Sequence, residues 1–258
     1  MTPALRVAYR DLVIYRRIWR ANLVGAVFQP LMYLLGVGLG VGSLVDSGPG
    51  SDAALGGVSY LAFYASAVMA TTAMFTSSQE SLWPAMDGFK WSNAYRAMVA
   101  TPLEPSDVAV GLGAYHAARA AIGAIGVALV LLLFDDTRSL GLLAAVPAAV
   151  LTGLAFAMPL TAWTSTRDTD TSFPAIMRFV ILPMFLFGGV FYPIEQLPGW
   201  LQPVAWVTPL WHGVELCRGA TLGTWTMPSA LVHLGVLLAF AGGGTFIATR
   251  TFTRALRP

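Results

Sequence analysis

Charge is what this sequence has least of. Asp, Glu, Lys and Arg make up 11% of its 258 residues, against about a quarter in an ordinary soluble domain. That shortage excludes a water-covered globular surface. With 56% hydrophobic residues and a mean hydropathy of +0.67, the chain reads as a membrane protein. A net charge of +2 is slight for this length, which removes any general basic attraction to nucleic acid.

Other absences exclude chemistry. One cysteine, Cys217, cannot form an intramolecular disulfide and has no CxxC partner for a thiolate metal site. One lysine, Lys90, lies in "GFKWS", whereas a P-loop needs Gly-Lys followed by Ser or Thr. The chain therefore has no such route to ATP. HExxH, GxSxG and GxGxxG do not occur, and His116, His212 and His233 are scattered without ligand spacing. Each is expected to be a packing or interfacial residue, so no catalytic and no metal residue is assigned. Proton- or sodium-coupled carriers use acids inside their spans. Here the acids, Glu80 and Glu215 among them, all read as flank or loop residues. A cleavable signal peptide is not expected either, because twenty polar or amphipathic residues precede an apolar run too long for one.

What the chain does have is long apolar runs. Crossing the hydrocarbon layer takes about 20 mostly apolar residues, and the runs between charges give six spans: 22–44, 58–79, 107–134, 140–166, 174–192 and 228–249. With the N-terminus inside, the inner flanks hold Arg6, Arg10, Arg16, Arg17, Arg20, Lys90, Arg96, Arg167, Arg250, Arg254 and Arg257. The outer flanks hold only Arg138 and Arg218. Cytoplasmic flanks are the basic ones, so both termini are expected in the cytoplasm. No internal repeat divides the chain, and residues 1–258 are taken as one all-α membrane domain.

Residues 1–20 form a second pattern. Thr2 and Pro3 make a helix start. Leu5, Ala8, Leu12, Tyr15 and Trp19 then share one face, with Arg6, Arg10, Arg17 and Arg20 on another. This fits a helix in the inner interface, its arginines toward anionic lipid; the alternative is a plain basic flank. In the first span, Gly36, Gly38, Gly40 and Gly42 give two overlapping GxxxG spacings. They suit packing within the chain or against another subunit.

Arg119 lies some 12 residues into the third span, on a face with Tyr115 and His116. It is either a functional charge or a side chain reaching back to the inner headgroups. Arg178, after Pro174, is expected to reach back in that way. Pro174 and Pro183 are expected to kink the fifth span.

Residues 80–107 are polar between two apolar runs. Ser92 can cap a short helix in which Trp91, Tyr95, Met98 and Val99 recur at i, i+4, i+7 and i+8, and Pro102 and Pro105 end it. Such a helix suits burial in headgroups or docking in a groove of another protein. Residues 193–227, rich in Pro, Trp and Gly, fall on the outer side. There Thr208 and Pro209 open a helix to about Thr221, on which Glu215 and Arg218 can pair.

The stretch "RAMVATPL" followed by "DVAVG" resembles the cytoplasmic segment of ABC-2 type exporter permeases. The likeness continues through "QPLMYLLGVGLGVG", "GGVSYLAFYASAVMATTAMF" and "LFGGVFYPIEQLPGWLQPVAWVTPLWHGVELCRG". It looks nearest to the nodulation-factor exporter permease branch. The resemblance implies an N-terminal interfacial helix, six spans, a coupling helix of about residues 90–100, and short re-entrant outer helices between spans five and six. It implies docking of a separate ATPase subunit in two copies, which carries ATP and Mg, and a second permease chain, identical or related. The coupling residues implied are Lys90, Trp91, Tyr95, Arg96, Met98 and Thr101, with Glu80 and Asp87 supporting the hinge.

Phe191, Tyr192, Trp200, Trp206 and Trp211 would gate an amphipathic substrate at the outer end, or anchor the chain as an aromatic belt. Arg119 is grouped with that pathway. The expectation is a permease subunit in a bacterial inner membrane, exporting a lipid, glycolipid, oligosaccharide or hydrophobic drug and not itself catalytic. An ATP-independent channel or scaffold is the alternative.

Overall fold

The structure, a computed structural model, describes residues 2–48 and 55–257; for Ile18, residues 21–27 and Gln29 it describes the backbone alone. Its architecture is all-helical, with no strand among the described residues. Helix α1, Pro3–Tyr33, begins as the sequence suggests, with Thr2 as cap and Pro3 in the first turn. A π-helical stretch, Leu34–Val41, and α2, Gly42–Asp46, continue it.

The expected division between an interfacial helix (1–20) and a first span (22–44) is corrected here, because α1 runs through both without interruption. No proline or glycine lies between Tyr15 and Asn22 to break the hydrogen-bond ladder. On the expected apolar face Ala8 and Tyr15 are buried while Leu5 and Trp19 are exposed; Val7 is buried as well and Asp11 largely so. Positions 7, 8, 11 and 15 face the helix Pro105–Leu131, because Ala4 and Val7 pack closely on its Gly111.

Helix α3, Tyr60–Met86, is capped by Ser59, whose Oγ accepts the Ala62 N–H at 3.3 Å. It extends beyond the boundary expected at 79 and carries Glu80 inside a helix. A π turn, Asp87–Trp91, and the short α4, Ala94–Val99, follow. Then come α5, Pro105–Leu131, and α6, Leu142–Thr164. The fifth apolar run is α7, Phe173–Ile176, a π turn, Met177–Ile181, and α8, Leu182–Phe187. It ends short of Tyr192, where the chain turns at Gly188 and Gly189. The π turn sits where Pro183 withholds an N–H from the preceding turn. The connector holds a 3₁₀ turn, Ile194–Gln196, α9, Gln202–Val207, and α10, Pro209–Leu222. Helix α11, Met227–Leu256, closes the chain.

Three of these helices, α5, α6 and α11, are long and apolar enough to cross a membrane. Helix α3 has the length, with 27 residues or about 40 Å of rise, but Ser, Thr, Gln and Glu crowd its second half. Residues 30–46 and 173–187 are apolar but shorter.

The main core lies between α3, α5, α6, α8 and α10, around Tyr64, Met69, Met74, Val127, Phe156, Ile181 and Leu210. A second core, at the end where the chain starts, gathers Val7, Phe89, Tyr95, Val108, Leu112, Met158 and Phe252. Helices α6 and α11 pack closely at Gly244, where a Cβ would stand 2.5 Å from Pro159 Cδ. Leu231, Val232, Leu238, Phe246 and Ile247 on α11 are left exposed, an apolar face for lipid or another chain. The two GxxxG spacings face different ways. Gly38 and Gly42 meet Leu61 and Tyr60 of α3, whereas Gly36 has nothing within 4 Å.

Candidate functional site

The polar segment folds in two pieces. Asn93 takes the left-handed conformation (φ 52) between the π turn and α4 and stands at the helix cap position. Ser92 is not the cap, because its Oγ donates to the carbonyl of Asp87 at 3.0 Å. The expected single helix over residues 90–100 is therefore corrected to a π turn and a six-residue helix, and this break removes Trp91 from the face of Tyr95. Trp91 is 56% exposed and Tyr95 only 4%.

Tyr95 anchors the segment. Its ring meets Phe89 edge-on at 4.9 Å and lies 6.0 Å from Phe252 of α11, while Phe89 contacts Phe252 at 4.7 Å. Such ring pairs add about 0.5–1.5 kcal/mol each beyond area burial. Gly88 is a close-approach position, since a Cβ there would collide with the Tyr95 ring. Burial holds the Tyr95 phenol well above its ordinary pKa. Arg96, Ala97 and Thr101 are exposed and Met98 is partly so. Met98, Thr101 and Leu103 form one wall of an open groove of about 380 Å³, and Arg6, Val7 and Arg10 of α1 form the other.

Lys90 reaches across to the loop after α6. Its Nζ donates to Asp168 at 2.7 Å, which holds that carboxyl below its usual pKa.

Behind α4 lies a cavity of about 140 Å³ lined by Arg10, Asp11, Glu80, Asp87, Tyr115 and His116, among others. Arg119 explains the charge on its wall. Its Nε and NH2 donate to Glu80 Oε1 at 3.0 and 2.9 Å, and Tyr115 OH donates to Oε2 at 3.2 Å. The guanidinium also lies 4.1 Å from the ring centroid of Tyr15 on α1. Arg119 is thus buried and paired, not reaching for headgroups, and it links α1, α3 and α5. Glu80, expected in a flank, is the partner that holds it there. Asp11 Oδ2 and His116 Nδ1 are buried with no hydrogen-bond partner among the described residues. Burial raises the Asp11 pKa, opposed by Arg10 and reinforced by Glu80.

At the other end, Glu215 and Arg218 pair as expected, at 2.8 Å. Arg218 does more. It also donates to Ser66 Oγ at 3.2 Å and to the Gly189 carbonyl at 2.8 Å, and it covers the Phe63 ring at 3.8 Å. One side chain thereby fastens α10 to α3 and to the end of the fifth run.

The aromatic residues of the connector do not form one cluster. Phe191 packs on Tyr64 and Phe185, and Tyr192 OH donates to the Leu186 carbonyl. Trp200 and Trp206 are exposed. Trp211 lies against two histidines, His212 and His233. Those histidines correct the expectation of scatter, for their Nδ1 atoms are 2.8 Å apart. Twenty-one residues separate them in sequence, and only the packing of α10 on α11 joins them. Arg178 is exposed on its π turn.

Long apolar helices around paired buried charges define a helical integral membrane protein. The model of the ABC-2 type transporter family matches residues 5–222, and the chain belongs to that family. Nodulation protein J of Rhizobium meliloti strain 1021 is 30% identical over 249 residues, covering 96% of this chain and 92% of that protein. Nodulation protein J of Rhizobium leguminosarum bv. viciae is 31% identical over 252 residues, covering 98% and 94%. That of R. leguminosarum bv. trifolii is 32% identical over 247 residues, covering 96% and 91%. Family and relatives place the chain as the membrane component of a transporter.

Proposed function

We propose that this chain is the permease subunit of an ATP-driven exporter in a bacterial inner membrane, with six spans and both termini in the cytoplasm. It works with a separate ATPase in two copies, which carries ATP and Mg, and with a second permease chain, identical or related. The substrate is amphipathic: a lipid, glycolipid, oligosaccharide or hydrophobic drug.

The observation that carries this reading is how the segment 87–99 is seated. Tyr95 and Phe89 clamp it against Phe252, while Trp91, Arg96 and Ala97 face outward. A helix merely resting on lipid has no need of a rigid aromatic seat. A helix that transmits a push does, because force applied at Arg96 passes through Tyr95 to α11 and through the α4–α5 connection to Arg119. Tyr95 is accordingly assigned to anchoring. Arg96, Trp91, Met98 and Thr101 are assigned to the ATPase contact, and Lys90 to fixing the π turn against the 165–172 loop. Phe191, Tyr192 and Trp211 serve the outer end of the pathway, with Trp200 and Trp206 at the interface.

Gentle solubilisation from native membranes tests this. A nucleotide-binding chain should accompany the tagged wild type in stoichiometric amount and be lost with Arg96→Glu, which leaves the fold intact. An assembly lacking any nucleotide-binding chain would favour an ATP-independent channel or scaffold and overturn the proposal.

A further inference from the structure

The His212–His233 pair has no part in that reading. His212, on α10, is 4% exposed, and its Nε2 stands 2.8 Å from the Trp206 carbonyl. A carbonyl oxygen only accepts, so Nε2 carries a proton and donates. In the neutral ring that leaves the Nδ1 lone pair of His212 facing His233 of α11. At 2.8 Å, His233 Nδ1–H must then donate to it. Trp211 covers both rings, at 4.8 and 4.9 Å. His233 itself is partly exposed.

This arrangement shares the main features of a metal-ligating histidine pair. One imidazole is oriented by a carbonyl on its far nitrogen, as such ligands usually are, and the two Nδ1 atoms converge from different helices. We propose that His212 and His233 form a binding site for a borderline transition-metal ion such as Zn²⁺, Ni²⁺ or Cu²⁺, which clasps the connector helix α10 to α11. The ion replaces the shared hydrogen. His233 moves its proton from Nδ1 to Nε2 by exchange with water, so two lone pairs meet the metal and no net proton is released. Metal–nitrogen bonds of about 2.0–2.1 Å set tetrahedral donors about 3.3 Å apart, so the rings need separate by only about half an ångström. Among the described residues no three His, Cys, Asp or Glu gather in metal-binding geometry. Water therefore completes the shell, and binding is reversible. Imidazole selects Zn, Ni and Cu over Mg and Ca.

The full chain, purified in detergent through a tag without histidines and stripped with EDTA, decides the question. Zn²⁺ or Ni²⁺ at about a hundredfold excess over Kd should raise the thermal midpoint by on the order of 5 °C, and Mg²⁺ and Ca²⁺ should not. The shift should vanish in His233→Ala and persist in Cys217→Ser. Should His212→Ala fail to fold, Cu²⁺ paramagnetic resonance supplies a direct reading. Two-nitrogen hyperfine structure is expected in the wild type and not in His233→Ala. Equal shifts in wild type and His233→Ala, or a Cu²⁺ spectrum without nitrogen ligands, would overturn the site. Neither result depends on the ATPase, so the transport reading stands or falls separately.

Discussion

Removing Arg119 should be far more harmful than removing Arg119 and Glu80 together. The two side chains are 9% and 18% exposed and share two hydrogen bonds, with a third from Tyr115. Arg119→Leu leaves the Glu80 carboxylate facing α1 and α5 without its counterion, which costs about 3–5 kcal/mol. Loss of the contact with Tyr15 adds about 0.5–2 kcal/mol. Replacing both members by apolar residues of similar volume removes the stranded charge as well as the attraction, so Glu80→Leu with Arg119→Leu should come within about 1–2 kcal/mol of wild type. The double variant should therefore be about 2–5 kcal/mol more stable than Arg119→Leu alone, a coupling of rescuing sign. Reversible unfolding of the detergent-solubilised protein, read in a double-mutant cycle with Tyr115→Phe as a third probe, measures it. Additive effects, or an Arg119→Leu cost under about 1 kcal/mol, would mean that this charge sits in water, and the account of the inner cavity would be wrong.

Other perturbations separate fold from docking. Tyr95→Ala should cost about 3–5 kcal/mol by emptying the seat between Phe89 and Phe252, whereas Arg96→Glu should leave the unfolding midpoint unchanged and act on ATPase recovery alone. Gly244→Ala should cost about 1–3 kcal/mol and shift α11 off Pro159, visible as faster proteolysis of the last helix. Asp11 has a raised pKa, so the folded state favours its protonated form and stability falls as pH rises through that pKa. Asp11→Asn should therefore raise the thermal midpoint at pH 8, with the gain shrinking as pH is lowered. A gain equal at all pH values would rule out a charge effect. Arg218→Leu, which strands Glu215 and frees the Gly189 carbonyl, should increase hydrogen exchange through residues 188–222.

Composition and local chemistry were enough to identify the membrane class, the Thr2–Pro3 helix start, the Thr208–Pro209 helix and the Glu215–Arg218 pair. Each depends on neighbours within a few residues or on summed hydropathy, and those are properties a chain carries before it folds. The polar segment 80–107 and its resemblance to ABC-2 permeases were legible for the same reason. The partners of Arg119, the inward turn of Tyr95 and the meeting of His212 with His233 were not. Thirty-nine residues separate Arg119 from Glu80, and Tyr95 finds Phe252 from more than 150 positions away. Periodicity names a face of a helix but not what that face will meet. It grouped Trp91 with Tyr95 because it assumed one unbroken helix, and the left-handed Asn93 separated them. Sequence alone determined that this chain is membrane-embedded and fitted with a polar segment between apolar runs. Only tertiary packing decided which charges are buried together and which aromatic ring faces in, because burial and pairing depend on which helices cross, and that is settled by contacts distant along the chain.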